Sequence, residues 1–522
     1  MRYLPNKKDN LPANNTEEII SQPLEADIEA NRSKLEALLE YCSDVVFREF
    51  VIGGQSPIRC LLLYFDGLVQ RKILDDNIIK SLLLDIRMTN DPGRELNQAD
   101  PLTAVEQKII NVAELKRIST FHEVIRYISS GDTVLLIDGC NQALVAGTRG
   151  WDSRNVVTPE NELVIYGPKE GFIENLRSNT ALIRRRLKSS NFKIESMVIG
   201  KITQTDVVLC YIDNIAPPQL VDEVRKRLQM IDIDAVLDSN YIQELIMEHK
   251  STIFSQAEQT EKPDRAAAHL LEGRICILVD GSPMALVLPV SFPRYWISPE
   301  DYYIHYIPAS LFRMGRFLVF LMALTLPALY VAVISYHQEM VPTALYLTIA
   351  ASRQGVPFPS FIEALLLELT FEMLREAGLR LPRAVGPAVS IVGALIIGDA
   401  AVRAGLVSTP MVVVVAFTGI ASFVTPSYNA GIIIRTARFA FLAAAALLGF
   451  LGIMIVFILM LIRMVSLSSF GMPYLSPIAP LNTRDITDVL VRRPWFKMRE
   501  RPYQEGMKNQ VRQNTAGKEQ GN

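Results

Sequence analysis

Cysteine and histidine are scarce, five of each in 522 residues, and neither set is grouped. Cys42, Cys60, Cys140, Cys210 and Cys276 are odd in number, widely spaced and without a CxxC pair. That argues against a disulfide framework or a zinc site and predicts buried thiols in a reducing compartment. His122, His249, His269, His305 and His337 lack metal-ligand spacing. Phosphate-loop, dinucleotide, zinc-protease and serine-elbow motifs are all missing. The sequence therefore predicts no enzyme, no cofactor and no metal. Charge of one sign is missing too: 53 basic against 55 acidic residues leave −2, which gives no reason to expect nucleic acid. The first 22 residues are polar, with Lys7, Lys8 and Asp9 and no apolar core. They do not read as a signal peptide, so the half that follows is expected in the cytoplasm.

Long hydrophobic runs are present, but only beyond Phe317. Phe317 to Ile334 is an 18-residue run without charge and Phe439 to Ile462 a 24-residue one. Each can span a bilayer core of about 30 Å. Ala384 to Val402, interrupted by Asp399, and Leu406 to Thr425 also qualify. An integral membrane protein is predicted. Arg313 and Arg316 precede the first span, and Arg492, Arg493, Lys497, Arg499 and Arg501 follow the last, so both flanks are expected in the cytosol and the number of spans is even. Four is the simplest count, but it leaves Arg380, Arg383, Arg435 and Arg438 outside; the expectation is four to six.

Among these runs lies a charged segment, PFPSFIEALLLELTFEMLREAGLRLPR from Pro357 to Arg383. A helix over 360–377 aligns Glu368, Glu372 and Glu376 in one stripe, with Arg375 near it and Glu363 on roughly the opposite side. Ionisable groups cost several kcal/mol in hydrocarbon unless paired or wet. This acidic amphipathic helix therefore lies at the interface, packs against protein, or lines a wet cavity.

The first half carries an internal similarity. VLLIDGCNQALV at Val134 matches CILVDGSPMALV at Cys276, and LLLYFDGL at Leu61 matches VLCYIDNI at Val208. Two copies of one α/β unit are predicted at 45–150 and 193–292, each running strand, strand, helix, helix, hairpin. A polar tail over 1–44 precedes them and a basic tail over 463–522 follows the transmembrane domain at 317–462. Asp138 and Asp280 sit at Asp-Gly turns, for which a metal or phosphate role is the alternative to a plain hairpin. The linker over 151–192 contains a basic amphipathic helix. Its Arg184, Arg185 and Arg186 are either a solvated face or a surface for anionic lipid or an acidic partner.

In the second apolar run Ser390, Gly393 and Ile397 belong to a mostly small-residue stripe. The stripe permits close helix packing or, around a symmetric axis, lines a narrow pore that would give Asp399 water. Asp399 reads otherwise as a loop residue near the interface. These segments, with VSIVGALIIGDAAVRAGLVS, IASFVTPSYN and GPKEGFIENLRSNTALIRRRL, resemble the spore germinant receptor A-subunit family (GerA type) over about residues 45–500. Lys169 stands where the family pattern leads one to expect Arg, and Pro387 and Asp399 where it leads one to expect Gln.

The resemblance implies a subunit of an A–B–C receptor in the inner membrane of the dormant spore. It implies B and C subunits as partners, a nutrient germinant bound mainly by the B subunit, and a homo-oligomer of the A subunit. That oligomer would be a ligand-gated ion channel whose opening leads to germination. A non-conducting scaffold of the same receptor is the alternative. A secondary transporter fits less well, because the spans show no repeat of their own.

Overall fold

The computed structural model describes residues 19–52, 57–85, 101–108, 114–150, 158–159, 162, 164–380 and 398–513. The amino-terminal region is mixed α/β and the carboxy-terminal region helical. Helix α1 (Ile28–Leu38) starts at Asp27, whose carboxylate accepts from the Glu29 amide. Strands β1 (Val45–Ile52), β2 (Ile58–Phe65), β3 (Leu115–Ile118), β4 (Thr133–Ile137) and β5 (Ala143–Ala146) form one sheet in the order β1-β2-β4-β5-β3. Side chains alternate across it. Leu61, Leu63 and Phe65 face α1 and α2 (Phe121–Ile128), while Cys60 and Leu62 face Ile78 and Val105 on the other side.

A second sheet repeats the order as β6-β7-β9-β10-β8, from β6 (Phe192–Ile199), β7 (Thr205–Ile212), β8 (Glu258–Thr260), β9 (Ile275–Val279) and β10 (Ala285–Leu288). Every pairing in both sheets is antiparallel. Its faces are covered by Val224 and Ile242 on one side and by α3 (Leu176–Arg184) and α4 (Pro263–Leu271) on the other. The matches extend to single hydrogen bonds. Asp138 accepts from the Ile28 amide at 3.3 Å and Asp280 from the Leu176 amide at 3.2 Å. Asn31 and Asn179 each bridge the backbone six residues upstream. The two aspartates thus hold helix starts, which is a structural use rather than a metal or phosphate one.

Two expectations change here. The stretch before residue 45 is not only a polar tail, because α1 packs on the first sheet through Ile28, Leu35 and Leu38. Helix α3, expected in a linker, packs on the second sheet as α1 does on the first. The short strands β3 and β8 have no counterpart in the sequence reading, since three or four mixed residues carry no clear alternation.

Beyond a connector at Phe292–Trp296 the chain becomes helical. Helix α5 (Tyr306–Tyr336) has 31 residues, about 46 Å at 1.5 Å per residue. It is followed by α6 (Thr343–Arg353), α7 (Ser360–Arg380), α8 (Thr409–Ser422), α9 (Tyr428–Leu448) and α10 (Phe450–Val465). Among the described residues, α5 and α9 are long and apolar enough to cross a membrane. The helices run back and forth. Phe320, Ile433, Ile434 and Met464 share one cluster with Phe292 and Trp296 beside the second sheet. At the far end the Tyr336 hydroxyl donates to the Ala446 carbonyl at 2.7 Å.

The 24-residue run expected as one span is therefore broken. At Gly449, with φ +60°, the chain reverses, and α10 returns toward the second sheet. A Cβ on Gly449 would lie 2.8 Å from the His337 ring, so the turn leaves no room for a side chain. The carboxy-terminal segment also folds back: Ser469 donates to the Gln256 carbonyl at 2.7 Å and Lys508 pairs with Asp213 at 3.1 Å.

Candidate functional site

Helix α7 begins where Pro357 and Pro359 end, with the Ile362 amide donating to the Pro359 carbonyl at 2.9 Å. Its first acidic residues point inward. Glu363 is fully buried; it accepts from Arg353 of α6 and from both the amide and the hydroxyl of Ser408, at 2.9 and 2.7 Å. One and a half turns on, Glu368 pairs with Arg438 of α9 at 2.6 Å, and the same guanidinium donates to the Ala323 carbonyl of α5 at 3.0 Å. Three helices are tied at that level by side chains that are 1% and 2% exposed. Glu372 pairs with Arg375, with Arg435 3.8 Å away. Glu376 and Arg380 close the series as an exposed pair at 2.6 Å.

Of the three settings open to this helix, the structure gives packing against protein for Glu363, Glu368 and Glu372. The helix is amphipathic in the inverse sense: Leu366, Leu369 and Met373 are exposed while the first two acids are buried. Polar-in and apolar-out suits a hydrocarbon surround, because Glu363 and Glu368 find their partners on neighbouring helices. Arg435 and Arg438, which four plain spans would leave outside, lie within the bundle against α7.

The other sequence-derived residues separate. Ser390, Gly393 and Ile397 lie outside the described residues. Asp399 is on a short helical turn, 55% exposed at its side chain, and pairs with Arg403 at 2.9 Å. Arg184 does not belong to an open basic face. It is fully buried, 2.7 Å from Asp44, and sandwiched between the rings of Phe65 and Phe192 at 4.1 and 4.8 Å. Planar guanidinium between two rings, with a bidentate acid, is an interior arrangement that joins the two sheets. Arg185 and Arg186 reach Glu170 at 3.3 and 2.6 Å.

A second ionic knot escaped the sequence reading. Asp301, fully buried, accepts from Arg313 at 3.1 Å and also from Arg316, both on the first turns of α5. Arg313 donates as well to the Asp488 carbonyl, and Tyr302 donates to the Asp488 carboxylate at 2.8 Å. The base of the first long helix, the connector and the returning segment thus meet at one point. Arg313 and Arg316 read in the sequence as flanking charges; Asp301 precedes the helix they sit on and Asp488 lies 175 residues beyond Arg313, so neither acid is matched by helical spacing. Among the described residues no group of three or more potential metal ligands comes together.

Comparison with known proteins gives consistent matches. The family model described as Bacillus/Clostridium GerA spore germination protein matches residues 33–504. An uncharacterized membrane protein of Bacillus subtilis (strain 168), YfkQ, is 40% identical over 481 residues, covering 92% of each chain. Spore germination protein KA of the same organism is 40% identical over 478 residues, 92% of this chain and 86% of its own. The crystal structure of the N-terminal domain of the A subunit of the Bacillus megaterium spore germinant receptor GerK3 aligns at 32% identity and a TM-score of 0.42, over 52% of this chain and 98% of that one.

Proposed function

The chain belongs to the Bacillus/Clostridium GerA spore germination family, and from that premise we propose that it is the A subunit of a nutrient germinant receptor that conducts ions as an oligomer in the spore inner membrane. The observation that carries the receptor role is the extent of the match, which spans the α/β region and the helices together. B and C subunits are its partners, and the nutrient is bound mainly by the B subunit. In this reading the α/β region and the segment after the last helix face the cytoplasm; that they share one side is supported by the helical part starting and finishing beside the second sheet. The two sheets are copies from one duplication, supported by their equal strand order and paired Asp-Gly turns. Neither the family nor any motif points to catalysis.

Conduction is supported by where charge is exposed. The buried carboxylates of the helix bundle, Glu363 and Glu368, are paired inside the chain, whereas the Asp399–Arg403 pair stands at its surface, 55% and 79% exposed, as does the Glu376–Arg380 pair. In hydrocarbon such groups need water or a neighbouring copy. A ring of Asp399 carboxylates around an axis would raise the local cation concentration. Ser390, Gly393 and Ile397 belong to the same proposed path. Potassium release from spores tests this at matched receptor levels: Ser390→Leu suppresses release and Asp399→Asn weakens preference for cations. Normal release from both variants would favour a non-conducting scaffold.

A further inference from the structure

We propose that the returning carboxy-terminal segment and the second α/β unit enclose a binding site for a small organic carboxylate, separate from the helix bundle. Two neighbouring cavities that share part of their walls lie between them. The outer one, about 790 Å³, is walled by Leu220, Phe470 and Tyr503 and is the size of a small-molecule cleft. The inner one, about 80 Å³, holds one small polar group; Tyr503, Gln504 and Arg484 border both.

Two buried side chains in the inner wall carry polar atoms without hydrogen-bond partners. Gln504 is 7% exposed, with neither its amide nitrogen nor its amide oxygen bonded. Arg274 is 3% exposed; its Nη1 donates to the Pro289 carbonyl at 2.8 Å, but its Nε has no hydrogen bond, and its nearest acid, Glu272, is 3.8 Å away and already held by Arg294 at 2.6 Å. Arg512, in the same wall, comes no closer than 3.6 Å to Glu272. Leaving such groups unpaired is costly, and a ligand that completes their bonds recovers that cost. Burial first, and then the neighbouring Arg294, hold the Arg274 guanidinium down at about 10. Glu272, Asp485, Asp488 and Glu500 line the inner cavity too, but the unbonded donors of Gln504 and Arg274 favour an anionic oxygen beside them, and the apolar part of the outer cleft at Leu220, Phe470 and Leu481 suits an aromatic or aliphatic body attached to it. The site does not depend on conduction or on the bundle's carboxylates.

The test is a titration of the full-length protein in lipid nanodiscs with benzoate, inorganic phosphate and benzylamine, followed by calorimetry. Benzoate is expected to bind saturably, phosphate more weakly because it leaves the outer cleft empty, and benzylamine not at all. Gln504→Leu and Arg512→Gln should each weaken benzoate by about tenfold or more, while both variants keep the wild-type melting temperature without ligand to within a few degrees. Two variants on different chain positions guard against a local folding defect in either. Absence of saturable benzoate binding at millimolar concentration would overturn the proposal, as would benzylamine or phosphate binding as tightly as benzoate. Benzoate affinity unchanged in both variants would overturn it equally.

Discussion

Replacing Arg438 with Met while leaving Glu368 in place strands a carboxylate between α5, α7 and α9. The pair is held at 2.6 Å by groups that are almost wholly inaccessible, so water cannot substitute for the missing partner. Breaking a buried pair from one side costs about 3–5 kcal/mol, two to three and a half orders of magnitude in the folding equilibrium. Glu368→Gln should cost less, because Arg438 retains the Ala323 carbonyl. Removing both charges together, Glu368→Leu with Arg438→Met, leaves an apolar contact and should recover much of the loss. The expected coupling between the sites is about 2–3 kcal/mol. Unfolding in mixed micelles, followed by circular dichroism for the two single variants and the double, measures it. Single variants within about 1 kcal/mol of wild type, or costs that simply add in the double, would refute the inward assignment of this helix.

Arg184→Ala should destabilise by about 3–5 kcal/mol through the unpaired Asp44, whereas Arg186→Ala, on a partly exposed pair, should cost no more than about 1 kcal/mol; melting curves of the two variants decide. Gly449→Val forces a β-branched residue to φ +60° against His337 and should cost at least about 1–2 kcal/mol, read as a lower melting temperature. Burial alone would raise the Glu258 carboxyl, yet Arg265 and then His269 hold it well below its ordinary 4.5, and Arg294 does the same for Glu272. A depressed folded-state value stabilises the fold above the unfolded value and is lost as pH falls below it. The melting temperature should thus drop steadily below about pH 4.5, and Glu258→Gln should flatten that acid limb.

Much of this molecule is legible in its sequence, and the exceptions have physical causes. The apolar run from Leu61 to Phe65 and the two Asp-Gly turns mark the sheets, because a strand buried on both faces reads as a short apolar run and positive-φ glycine leaves a plain trace. The runs that open the helical region are equally clear by length. Gly449 is harder to see: it sits in uninterrupted apolar sequence, and only the approach of His337 makes it a reversal. Arg184 looks solvated because it stands beside Arg185 and Arg186, although its partner Asp44 lies 140 residues upstream. The stripe of Glu368, Glu372 and Glu376 is correctly spaced, but its direction depends on Arg438 in another helix. Pairing across the fold, unlike periodicity, has no local signature.

Ion flux through liposomes carrying this chain with its proposed B and C partners tests the central claim most directly. Nutrient-dependent potassium efflux is the predicted result, with the efflux reduced and less cation-selective for Asp399→Asn. A fully assembled complex that responds to nutrient in binding yet passes no potassium, or passes it unchanged in the Asp399→Asn and Ser390→Leu variants, would contradict it.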